Sequence, residues 1–163
     1  MSDQKLKIKK SAIKFWGLYW ASLHYLSYIY PDNPSNIQKE QKEQIYKLIE
    51  IMKNNGILCA RCRHHFNTWS KNNDIKLFYN NKNDLINYFI NLHNDVNKRN
   101  KKRIVDRKEV DLIYIDFNDK ILMEYKLDIK KLFEENRIYE LPDIINTFTR
   151  QQLLVEFGIM DFA

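Results

Sequence analysis

Glycine and proline are scarce in this chain, with three of each in 163 residues. Sandwiches and propellers turn often and depend on those residues, so the shortage argues against an all-β architecture and for helices. No apolar run approaches the ~20 residues of a membrane-spanning helix. Met1 to Lys14 lacks the apolar stretch of a secretory signal, and a soluble, unsecreted chain is expected. Cysteine is scarcer still: Cys59 and Cys62 are the only two, too few for a disulfide-rich scaffold. What remains is 44% hydrophobic, enough to give one domain of this length a core and to exclude wholesale disorder.

Charge is unevenly placed. Residues 1–117 hold 21 basic and 12 acidic side chains, whereas residues 118–163 hold 6 and 9. A basic body suits an anionic ligand such as a nucleic acid, a phosphate or a nucleotide cofactor. An AT-rich genome, which favours Lys, Asn and Ile codons, would give the same excess, so charge alone does not choose.

Between Ala12 and Tyr30, Trp16, Trp20, Leu23 and His24 recur at helical spacing. Pro31 and Pro34 stop that helix, and Ser35 or Asn36 is expected to cap the next. Ile45, Leu48, Ile49 and Met52 give Lys39–Lys53 an apolar stripe, with Gly56 expected to end it in a left-handed conformation. A short helix from Leu58 to Ser70 and a long one from Asn83 to about Lys98 follow, the latter burying Leu85, Ile86, Phe89, Leu92 and Val96. Glu109–Phe117 spaces Val110, Ile113, Tyr114 and Phe117 as a helix, although Leu112–Ile115 has strand propensity. A four- or five-helix bundle is expected, with a basic lead-in over 1–14 and a further helical segment over 118–163.

Three segments carry chemistry. Cys59-Ala60-Arg61-Cys62 puts two thiols one helical turn apart at a helix start, where the helix end and Arg61 and Arg63 favour thiolate. A zinc site completed by His64 and His65, or two buried structural cysteines, are the alternatives. His93, Asn94 and Asn97 share a helix face that could stack on an aromatic base and hydrogen-bond its edge. Arg99, Lys101, Lys102 and Arg103 follow and could neutralise a pyrophosphate. A solvated helix end is the plainer account of the same residues. His24 shares a face with Trp20, leaving room for a flat ring between them, or is simply a satisfied core histidine.

Trp-x-x-Leu-His, Tyr-Pro-Asp-x-Pro, Cys-x-x-Cys-x-x-His-Phe and His-Asn-x-Val-Asn-x-Arg, in that order over Phe15–Phe117, resemble the Erv/ALR family of FAD-dependent sulfhydryl oxidases. The resemblance implies an all-α four-helix bundle plus a short fifth helix over residues 15–117. FAD is the implied cofactor, and no metal is implied. Gly17, Trp20, His24, Cys62 and His65 would lie by the flavin. His93, Asn94, Val96 and Asn97 would meet adenine and ribose, and Arg99 and Lys102 the phosphates. Cys59 would exchange with substrate and Cys62 would face the flavin, passing electrons from a dithiol to O₂ with hydrogen peroxide as product. Electrons would enter at Cys59 directly from a dithiol protein or a small thiol adaptor, or from another chain's cysteines, because the separate shuttle pair of most cellular members is absent.

Other departures are Leu58 where Pro is frequent, Tyr88 where Trp is frequent, and Asn100-Lys101-Lys102-Arg103 where Leu-x-Lys-Pro often stands. The minimal cysteine count is similar to that of short thiol oxidases of large cytoplasmic DNA viruses. That implies a homodimer in host cytoplasm or virion, with the mitochondrial intermembrane space as the alternative. Neither a membrane nor nucleic acid is an expected partner. The rival readings are a non-catalytic assembly or substrate adaptor on the same bundle, and a basic nucleic-acid binder.

Overall fold

The computed structural model describes residues 20–21, 23–56 and 60–116. The basic lead-in, Gly17, Cys59, Phe117 and the expected helical extension over 118–163 lie outside the described residues. Among the described residues there are five helices: α1 (20–21 and 23–28), α2 (Lys39–Ile51), α3 (Ala60–Lys71), α4 (Lys82–Arg99) and α5 (Arg107–Tyr114). Among the described residues there is no strand, and no helix long and apolar enough to cross a membrane.

The ends of the helices follow from local hydrogen-bond chemistry. Asn33, rather than Ser35 or Asn36, acts as a cap, its Oδ1 accepting from Ser35 N at 3.0 Å to start a 3₁₀ turn over Pro34–Asn36. α2 begins instead at Gln38, whose backbone N–H donates to Gln41 Oε1 at 2.8 Å. A side chain three residues along thereby satisfies one of the donors a helix start leaves open. The other end of α2 also departs from expectation. Met52–Gly56 continues as a π-helical turn, and Gly56 takes no positive φ. That turn releases carbonyls from the regular ladder, and two asparagine amides take them up. Asn54 Nδ2 donates to Glu50 O at 2.9 Å, and Asn67 Nδ2 of α3 to Lys53 O at 3.2 Å. The second bond ties α3 to the end of α2.

α3 stops where Asn73 Nδ2 donates to Trp69 O at 2.9 Å. Asn81 starts α4, its Oδ1 accepting from Asp84 N at 2.8 Å. Asp106 starts α5 by accepting from Glu109 N at 2.9 Å. That cap, with the helical spacing after it, decides the contest with a strand.

The apolar stripes of α1, α2, α3 and α4 meet in one core. Leu23, Leu26 and Tyr30 close on Ile45, Leu48, Ile49 and Met52, then on Phe66, Leu85, Tyr88, Phe89 and Leu92. Tyr88 and Phe89 sit edge-to-face with ring centroids 5.4 Å apart, and Trp69 meets Tyr88 the same way at 5.1 Å. Such pairs add to area burial through the ring quadrupoles. The hydroxyl of Tyr30 donates to Tyr79 O at 2.6 Å, so its buried ring leaves no bare donor. Val96, expected in this core, is only partly buried.

α5 is an outlying helix held at one edge. Val110 and Tyr114 are buried. Ile113, expected on the same face, is 60% exposed, with Leu112 at 81% and Ile115 at 73%. Polar bonds do much of the holding. Tyr28 Oη donates to Asp111 Oδ1 at 2.5 Å, and Arg107 Nε reaches the same oxygen at 2.8 Å. Arg107 Nη1 also donates to Asn83 and Asn87 of α4, at 2.8 and 3.0 Å. Asp111 and Arg107 of α5 thus tie it to α1 and to α4.

Candidate active site

Where α1, α4 and α5 converge, the residues singled out from two distant sequence segments touch. Trp20 of α1 and His93 of α4 stack face to face, with centroids 4.0 Å apart and planes 2° from parallel. His24 Nε2 lies 2.9 Å from His93 Nδ1, a hydrogen bond whose donor depends on the tautomers. Tyr114 of α5 closes the group, its ring 5.3 Å from His24. Tyr114 was legible only as an apolar position of a short helix, and nothing in the spacing marks it as a member of this cluster. The open slot expected between Trp20 and His24 is not there. Those rings are 6.1 Å apart and tilted by 31°, whereas a ring held between two others needs about 7 Å, two van der Waals contacts.

The imidazoles are held uncharged. Burial, and after it the nearness of His93, which would repel a second proton, lowers His24 to about 3. Burial, with Lys102 behind it, lowers His93 to about 4. His24 is only 3% exposed, yet its Nδ1 is buried without a hydrogen-bond partner. A buried polar nitrogen in that state is costly unless a ligand or an ordered water meets it. His24 is therefore engaged at Nε2 by His93 and open at Nδ1.

The C-terminal turn of α4 uses its asparagines unequally. Asn94 spends its whole amide on one backbone unit: Nδ2 donates to Val105 O at 2.8 Å, and Oδ1 accepts from Val105 N at 3.1 Å. The chain between is folded back on the helix end. Lys101 takes a left-handed backbone with φ 55°, uncommon for a residue with a Cβ, and Lys102 N donates to Asn97 O at 2.8 Å. Arg99 is ion-paired with Asp95, one turn earlier. Asn94 thus acts on the loop that carries Lys101 and Lys102. Asn97, Val96 and His93 are partly buried along the same turn.

α3 contributes Cys62, the cysteine among the described residues. Cys62 is exposed and disulfide-bonded. Its neighbours Arg61 and His64 are also exposed, while His65, one turn after Cys62, is partly buried. Partial burial lowers the His65 pKa, and the charges of Arg99, Arg61 and His64 lower it further. Among the described residues no group of three or more His, Cys, Asp or Glu side chains is placed to hold a metal ion. Stacked aromatics, two neutral imidazoles, an unpartnered ring nitrogen and nearby cations together suit a flat heteroaromatic ligand that carries an anion.

Comparison with known proteins agrees. The Erv1/Alr family profile matches residues 18–115. A protein named FAD-linked sulfhydryl oxidase from African swine fever virus, Warthog/Namibia isolate, is 33% identical over 100 residues, covering 61% of this chain and 79% of its own. Its counterpart from the Tick/Malawi isolate is 32% identical over the same shares. A protein of Invertebrate iridescent virus 3 is 28% identical over 98 residues, covering 60% of this chain and 64% of its own. No solved structure gives a significant match.

Proposed function

From the premise that this chain belongs to the Erv1/Alr family, we propose how its residues divide the work of a FAD-linked sulfhydryl oxidase. The protein is an oxidoreductase of thiols that uses FAD. When bound, FAD supplies the two-electron relay between the cysteine pair and O₂. The residues present suit that group: Trp20, His24, His93 and Tyr114 form an uncharged aromatic cluster, and the unpartnered Nδ1 of His24 is a polar atom for a heteroaromatic edge. Gly17, Val96 and Asn97 belong to the same assignment. Arg99 and Lys102 are assigned to the pyrophosphate, and Asn94 to holding the loop that carries Lys102.

In the thiol half of the reaction, a substrate thiolate attacks the Cys59 sulfur of the Cys59–Cys62 disulfide and Cys62 leaves as thiolate. The second substrate thiol then displaces Cys59, releasing the substrate as a disulfide. Two electrons and two protons have passed to the cysteine pair. Arg61 and the start of α3 favour the thiolate form of the leaving Cys62. The observation that carries this reading is the exposed, disulfide-bonded Cys62 on the turn of α3 that also holds the partly buried His65.

Dithiols and O₂ are the substrates that a thiol oxidase implies. Viral relatives point to a viral source. Host cytoplasm or virion, a homodimer, and an oxidase domain over 15–117 with residues 118–163 as an extension are part of the proposal. The test is the protein purified with FAD, supplied with a dithiol in air. A flavin spectrum with oxygen consumption and matching peroxide is expected. A colourless protein that FAD does not reconstitute would favour the non-catalytic adaptor.

A further inference from the structure

One face of α4 holds the chain that follows it. Asn83, Asn87 and Asn94 lie within about 40° of one another around the helix axis at 3.6 residues per turn, and all three side chains engage Val105 or Arg107. Asn94 takes both polar atoms of the Val105 backbone, while Asn83 and Asn87 accept from Arg107 Nη1. Nε of the same guanidinium holds Asp111, a division of donors that its planar fork allows and a lysine's single nitrogen does not. Asp111 in turn accepts from Tyr28 of α1. α5 needs this fastening. Its eight residues bury only Val110 and Tyr114, and so short a helix does not persist by itself.

The fastened face runs into the aromatic cluster. Arg107, Asp111 and Tyr114 follow one another at i, i+4 and i+7 on α5, as His24 and Tyr28 do at i and i+4 on α1. The two helices therefore meet in two rungs. Tyr28 reaches Asp111 by a hydrogen bond, and one turn away His24 meets the Tyr114 ring at 5.3 Å. The Tyr28 and Tyr114 rings, 5.5 Å apart, join the rungs, so releasing the first loosens the second. We propose that Tyr28, Arg107 and Asp111 are positioning residues for FAD, acting through Tyr114, which they hold against His24. The inference rests on the FAD-linked reading and deepens it, because it gives a part in holding the cofactor to the polar contacts that dock α5.

The test follows FAD leaving the loaded full chain, read as the rise of free-flavin fluorescence after dilution. Asp111→Ala should speed the loss about tenfold, the scale of a hydrogen bond to a charged group. Tyr28→Phe keeps the ring and removes only the hydroxyl, and should speed it severalfold. Asp111→Asn keeps an acceptor at Oδ1 and should restore most of the retention. In a Tyr114→Leu background Asp111→Ala should add less than about twofold, because the residue it acts through is gone. A merely structural role would speed release by the same factor in both backgrounds. That equality would overturn the proposal, as would unchanged release from Asp111→Ala. Amide hydrogen exchange on the unaltered protein needs no variant to fold. Bound FAD should slow exchange in α5 at least severalfold, and equal exchange with and without FAD would overturn the positioning while leaving the FAD-linked reading intact. An unaltered chain that binds no FAD would overturn that reading and the positioning with it.

Discussion

Residues 85–92 and 93–99 of α4 share one helix and one periodicity, and the structure puts them to different uses. The first stretch buries Leu85, Ile86, Tyr88, Phe89, Ile90 and Leu92 against the bundle. The second leaves that core and meets α1 through Trp20 and His24, and its own following loop through Asn94. Apolar packing makes the helix a fixed rod about 27 Å long at 1.5 Å per residue. The polar end is carried on that rod and adds its own contacts to α1 and to the following loop. A site can then keep buried neutral imidazoles and an unpartnered nitrogen, both unfavourable locally, because stability is supplied one or two turns away.

The comparison predicts a gradient of effects along α4. Phe89→Ala, in the packed stretch, should cost about 3–5 kcal/mol in urea unfolding, the range for emptying an aromatic core position. A loss below about 1 kcal/mol would mean that this half does not anchor the helix. Acid should weaken the other half next. His24 and His93 are neutral when folded, with pKa values lowered to about 3 and about 4, while the unfolded chain takes up protons near 6.5. Their contribution is therefore complete above about pH 6.5 and is lost as the pH falls toward 4. At pH 5 each imidazole should cost about 2 kcal/mol. An unfolding midpoint that stays level between pH 7 and pH 5 would contradict their burial as neutral groups.

Smaller effects separate scaffold from ligand contacts. Asn94→Ala leaves both polar atoms of the Val105 backbone unit to water or to nothing, and should cost about 1–2 kcal/mol while loosening FAD. Arg99→Ala removes a surface ion pair and should move stability by less than about 1 kcal/mol, yet still lower FAD occupancy after dialysis. A variant with unchanged flavin content would remove Arg99 from the phosphate site and blur the contrast between the halves.

Much of the scaffold was readable because its information is local. The stripe Ile45, Leu48, Ile49 and Met52 marks α2 within a few residues, and the breaks at Pro31 and Asn72 need no tertiary knowledge. What was not readable depends on contacts across the chain. The expectation of a left-handed Gly56 failed because α3 supplies Asn67 to the carbonyl of Lys53, which lets a π-helical turn stand in its place. Asn94 looked like a ligand-facing amide because its partner, Val105, is eleven residues away and carries no signature. Ile113 was placed in the core by its spacing, but a helix of eight residues at the edge of the bundle buries only Val110 and Tyr114. Trp20, His24 and His93 were all marked as candidates. Their mutual stacking, which closes the expected slot, required the crossing of α1 and α4.

The most direct test of the central assignment is an anaerobic titration of the FAD-loaded protein with a dithiol, following the flavin band near 450 nm, for the unaltered chain and for Cys62→Ser. The account predicts bleaching in the first and none in the second, with FAD retained in both. Bleaching that survives loss of Cys62 would contradict the role given to the Cys59–Cys62 pair.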